Sequence, residues 1–65
     1  MTGAVKSYNP STRYGFIKAD GIDYRFHIKD WNLRLPPAEG LRVEFMELNT
    51  EKGWRATEIR REKNV

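Results

Sequence analysis

Apolar and polar positions alternate with a period of two through much of this chain, the pattern of strands with one face buried. In residues 13–19, Tyr14, Phe16 and Lys18 fall on one side of an extended backbone, while Gly15, Ile17 and Ala19 fall on the other. In residues 22–28, Tyr24, Phe26 and Ile28 form an apolar side opposite Asp23, Arg25 and His27. Asp20-Gly21 between the two runs is a strong hairpin signal. Pairing them across that turn gathers Tyr14, Phe16, Lys18, Arg25 and His27 into one exposed patch.

A first strand is expected over residues 3–9, with Val5 inward and, by strict alternation, Lys6 and Tyr8 outward. Asn9-Pro10-Ser11-Thr12 then reads as a turn, because proline presets its backbone angle and Asn and Ser bond their own backbone. These runs predict a three-stranded antiparallel sheet. Residues 41–47 alternate again and send Leu41, Val43 and Phe45 to the core; residues 49–53 form a turn, and a fifth strand covers residues 54–60. Between them, residues 29–40 are irregular. Asp30-Trp31-Asn32-Leu33 suits one helical turn capped by Asp30, whereas Leu35-Pro36-Pro37 excludes both helix and interior strand. Trp31 reads better as a plug for the end of a barrel than as a binding group, and Trp54 better as a packing residue.

Composition narrows the classes. The 65 residues make room for one domain, and with 38% hydrophobic and 32% charged residues the chain suits a soluble globular protein. No run is long enough to span a bilayer, and no apolar stretch develops before Lys6 to act as a signal peptide. Cysteine is absent, which excludes disulfides and thiolate metal sites, so a cytoplasmic location is expected. The net charge of +3 is compatible with a polyanionic partner without requiring one.

Catalysis finds little to work with: there is one histidine, and Asp20 and Asp23 at a hairpin turn would be solvated and unable to hold split pKa values. His27 has no companions for a metal site, and the isolated glycines form no phosphate loop. We expect no enzyme activity, no cofactor and no small-molecule substrate. The aromatic-basic patch does offer chemistry, since a base can stack on Tyr, Phe, His or an Arg guanidinium for about 1–3 kcal/mol while Lys and Arg neutralise phosphates. Alternation alone leaves this reading level with a bland one, in which Tyr14 and Phe16 are the outer members of a cross-strand aromatic ladder.

The order of motifs separates the two. Lys6-Ser7-Tyr8-Asn9-Pro10, Tyr14-Gly15-Phe16-Ile17, Asp20-Gly21, and Asp23 through His27 resemble the cold-shock domain family. Glu39-Gly40-Leu41-Arg42-Val43-Glu44-Phe45 and Lys52-Gly53 with Ala56 and Ile59 extend the resemblance over residues 2–60. It implies an all-β fold, a five-stranded antiparallel Greek-key barrel of the OB type, spanning residues 1–60; by composition, residues 61–65 are expected to form a charged, flexible tail. The resemblance also makes Ala56 and Ile59 core positions; because they lie three apart, a β-bulge is expected between them. The family's stacking positions fall on Ser7, Tyr8, Tyr14, Phe16, Arg25, His27 and Ile28, and at Ser7, Arg25 and Ile28 the usual aromatic is missing.

The function this implies is sequence-tolerant binding of single-stranded RNA or DNA by a monomer, with a role as RNA chaperone or regulator of gene expression. Bases would stack on Tyr8, Tyr14, Phe16, His27 and Arg25, and Lys6, Arg13, Lys18 and Arg55 would meet phosphates. The rival reading is a protein-interaction module on the same barrel, motivated by the three lost aromatics.

Overall fold

The computed structural model describes residues 1–63. The hairpin at its centre forms as its turn residues dictate: Asp20 and Gly21 both take left-handed backbone, φ 52° and 76°, the geometry of the two-residue turn that matches strand twist. It joins β2 (Tyr14–Ala19) to β3 (Ile22–His27), in a register running from Tyr14 opposite His27 to Ala19 opposite Ile22. β1 (Thr2–Asn9) pairs antiparallel with β2, completing the three-stranded sheet. A second hairpin, β4 (Arg42–Thr50) and β5 (Gly53–Arg61), closes the structure, β4 against the start of β1 and β5 parallel to β3. The order β1-β2-β3-β5-β4 is a closed five-stranded barrel, the all-β OB-type architecture expected.

The core is the inward set of these strands. Val5, Ile17, Tyr24, Phe26, Val43, Phe45, Ala56 and Ile59 are all buried, and Leu41 packs half-buried against them. Ala56 and Ile59 both reach the core because β5 carries a bulge: Thr57 faces Met46 and Arg60 faces Glu44, leaving an extra residue, with Glu58 at φ 47°.

Four local expectations need correction. β1 also carries a bulge, between Val5 and Ser7, which sets Ser7 opposite Phe16 and Tyr8 opposite Gly15. Tyr8 therefore turns to the inner face, half-buried and stacked over Phe26 at 6.1 Å and 11°, rather than sharing the outer face with Lys6. The helical turn starts three residues early, at Ile28–Asp30, and its cap is His27 rather than Asp30; the His27 Nδ1 accepts the Lys29 N–H at 3.1 Å. Ile28 accordingly leaves the strand at its last ladder bond, N–H to the Arg13 carbonyl. The β4–β5 strands run on to Thr50 and Gly53, so the turn is Glu51-Lys52 alone, tied by the Thr50 hydroxyl donating to the Gly53 carbonyl at 2.7 Å. Lastly, Arg61 lies within β5 opposite Val43, and Glu62 bonds Arg42 at 3.1 Å; Asn64 and Val65 of the expected tail fall outside the described residues.

Trp31 caps the barrel as expected. It bridges to Ile59, stacks on Phe26 at 5.6 Å and donates its indole N–H to the Leu35 carbonyl at 2.7 Å. Trp54 packs on Tyr24 at 5.7 Å. Among the described residues, no helix is long and apolar enough to cross a membrane.

Candidate nucleic-acid interface

The outer face of β1-β2-β3 follows from the register. Ser7, Phe16 and Arg25 form one row across the sheet, and Asn9, Tyr14 and His27 the next. Gly15 makes the second row possible, because a Cβ there would stand 2.5 Å from the Ser7 carbonyl oxygen and 2.7 Å from the Phe26 ring. Its absence lets Tyr8 and Phe26 close over the strand from inside while Tyr14 and Phe16 project outward. Tyr14 and Phe16 are 37% and 40% exposed, in a barrel whose core is complete without them.

Around these rings the polar groups are held in place. His27 meets Tyr14 edge to face at 4.7 Å, and its Nδ1 bond to Lys29 leaves Nε2 as the nitrogen that carries the proton. The Arg25 guanidinium lies 5.1 Å from the centre of the Tyr14 ring, a cation–π contact. Arg13 sits at the mouth of the β1–β2 turn in left-handed backbone, φ 66°, which its N–H stabilises by bonding the Asn9 carbonyl at 2.8 Å. Lys18 is exposed beside Asp23 on the neighbouring strand.

Lys6 differs from the rest. As the extra residue of the β1 bulge it reaches across β2 to Asp23, and its Nζ bonds Oδ2 at 2.9 Å. That hydrogen bond, with added attraction from Lys18, holds the Asp23 carboxyl below the ordinary carboxylate range against a small desolvation cost. Tyr24 shows the opposite shift: burial, reinforced by its bond to Glu47 at 3.2 Å, pushes its hydroxyl pKa up.

Of the sequence-predicted residues, the fold thus brings Tyr14, Phe16, Lys18, Arg25 and His27 to one face, with Arg13 exposed in the turn that precedes Tyr14. Lys6 adjoins it in an ion pair, and Tyr8 supports it from behind. Arg55 joins the face from β5, directly opposite Arg25, while bonding Asp30 at 3.4 Å. Lys52 was missed; the β3–β5 pairing that brings its turn beside Arg25 has no local sequence signal. Among the described residues no group of three metal-ligating side chains converges.

Exposed rings and cations thus share one outer face of the closed β-barrel. No curated protein matches the chain. The family described as 'Cold-shock' DNA-binding domain matches residues 1–62. That span covers every strand of the barrel and the whole aromatic-basic face, and with it the chain belongs to the cold-shock domain family of nucleic-acid-binding, non-enzymatic barrels.

Proposed function

We propose that this protein binds single-stranded RNA or DNA with little sequence preference, by stacking bases on the outer face of β2 and β3. The exposure of Tyr14 and Phe16 beside Arg25 and His27 carries the reading, since a folded barrel gains nothing from displaying those rings to water. Tyr14, Phe16 and His27 act as base platforms, Arg25 stacks through its guanidinium plane, and Arg13 and Lys18 neutralise phosphates. Tyr8 contributes chiefly by backing Phe26, and Lys6 contributes charge in competition with Asp23. Duplex binds less well, because paired bases present no free faces. A monomer in the cytoplasm acting as RNA chaperone or expression regulator fits such binding.

The test is fluorescence anisotropy of a labelled heptathymidylate with the parent and with a Tyr14→Ala, Phe16→Ala double variant. At about 1–3 kcal/mol per stacked base, the double change should weaken binding at least tenfold while leaving the thermal midpoint nearly unchanged. Undiminished affinity would overturn the stacking mechanism.

One observation favours the rival reading of a protein-interaction module. Met46 and Leu48 are 57% and 49% exposed on the outer side of β4, with Leu48 directly opposite Arg55. Absence of oligonucleotide binding at about 0.1 mM in low salt, below ordinary non-specific affinity, would shift the assignment to that surface.

A further inference from the structure

The β3–β5 seam carries an arrangement that the barrel itself does not need. Arg25 and Arg55 stand directly opposite one another on adjoining parallel strands. Like charges so placed destabilise a sheet. Arg25 has no carboxylate within ion-pair distance among the described residues, and Arg55 has one, Asp30, at the long distance of 3.4 Å. Beside them the Glu51-Lys52 turn closes an open groove of about 440 Å³, lined by Tyr14, Arg25, Thr50, Glu51, Lys52 and Arg55. Three cations and one carboxylate, Glu51, line it, and Asp30 pairs with Arg55 from outside the lining. The Thr50 hydroxyl, accepting from the Lys52 N–H at 3.2 Å, fixes the turn that presents Lys52.

From this geometry we infer that Arg25, Arg55 and Lys52 form a phosphate-binding subsite at the β3–β5 seam, filled by a phosphate of the strand whose base stacks on Tyr14. An oxyanion between the two guanidinium groups turns a repulsive pair into two charge-assisted, fork-like hydrogen-bonding contacts. Tyr14 forms one wall of the groove, so the subsite lies within a nucleotide's reach of the ring, and Arg25 belongs to both. The strand would then leave the β2–β3 face over β5, toward the tip of the second hairpin. This inference rests on the single-strand-binding reading for its ligand, while the anion chemistry of the seam stands on its own geometry.

The discriminating residue is Arg55, which does not touch the aromatic rings. Heptathymidylate with hydroxyl ends is titrated against the parent, Arg55→Gln and Arg55→Lys over a range of salt. Losing one phosphate contact lowers the slope of log K against log salt by roughly 0.7 for a single strand. Arg55→Gln should show that drop and a severalfold loss at low salt, and Arg55→Lys should keep most of the slope. Arg55→Gln should melt close to the parent, since it relieves the opposed charges while giving up the long pairing with Asp30. A parent-like slope in Arg55→Gln overturns the subsite and leaves the stacking function standing. A phosphate added to one end of the oligonucleotide distinguishes the source: a gain in the parent that Arg55→Gln loses places a terminal phosphate in the groove, and no gain places an internal one. If no oligonucleotide binds at all, tripolyphosphate followed at the arginine side-chain N–H resonances decides the matter. Shifts at Arg25 and Arg55 support the anion site, and unmoved resonances at millimolar concentration overturn it.

Discussion

Two single residues carry opposite lessons about backbone and space. Glu58 forms the β5 bulge in left-handed backbone, φ 47°, a conformation that costs a side chain about 1–2 kcal/mol and glycine nothing. Glycine returns about 0.5–1 kcal/mol of that through its freer unfolded chain, so Glu58→Gly should be net stabilising. At about 4–8 °C per kcal/mol for a domain of this size, differential scanning calorimetry should record a rise of a few degrees; a fall would show that the Glu58 side chain does something for the fold. Gly15 is the reverse case, with ordinary backbone and no room, where an added Cβ meets the Ser7 carbonyl and the Phe26 ring at 2.5 and 2.7 Å. Neither can yield cheaply, because one is strand backbone and the other is locked between Tyr8 and Trp31. Gly15→Ala should cost about 1–3 kcal/mol, a large share of the stability of so small a domain, and urea unfolding would read it directly. A variant as stable as the parent would mean that β1 shifts away from β2 at little cost.

At the scale of elements, the sequence was most legible where one strand's own alternation settled the matter. β2 and β3 have the inward and outward residues that period two assigns, and Asp20-Gly21 makes the turn its chemistry requires. β1 was read less well, since its bulge at Lys6 leaves no mark in the run of Lys, Ser and Tyr and shows only in the pairing with β2. The helical turn was misplaced because Asp30 is the better cap by residue type, whereas His27 is the one at which the β2–β3 ladder ends. The Lys6–Asp23 pair was invisible for the same reason, as it spans three strands and depends on that bulge. It has two measurable consequences. Asp23 binds its proton less readily when folded than when unfolded, so its pairing stabilises the fold above the ordinary carboxylate range and is lost as pH falls through the lower, folded pKa. Carbon-detected NMR should find Asp23 titrating below the ordinary carboxylate range, and Asp23→Asn should flatten that part of the acid-unfolding curve. The same change releases Lys6 toward the aromatic face, so oligonucleotide affinity should rise severalfold at low salt and converge with the parent as salt screens the added charge. Unchanged affinity would mean that Lys6 does not face the ligand even when free.

For the whole molecule, the small size decides how binding and folding are coupled. A 65-residue barrel has a stability of only about 3–10 kcal/mol on the usual per-residue scale, and the proposed binding face is the outer side of strands whose inner side gives Val5, Ile17, Tyr24 and Phe26 to the core. Any ligand that prefers the folded chain therefore shows up in its melting. At a free concentration one hundred times Kd the gain is about 2.7 kcal/mol, which at about 4–8 °C per kcal/mol is a rise of at least 10 °C. A single-stranded pyrimidine oligonucleotide should produce that rise in the parent, and the rise should shrink with added salt because part of the affinity is counterion release. The same sequence annealed as duplex should shift the midpoint much less, since it offers phosphates to the cations but no base faces to Tyr14 and Phe16. Removing the two rings should make the single strand behave like the duplex, reducing its effect to the electrostatic remainder. Equal shifts from single strand and duplex in the parent would mean that charge alone holds the ligand and that the exposed rings of β2 serve another partner.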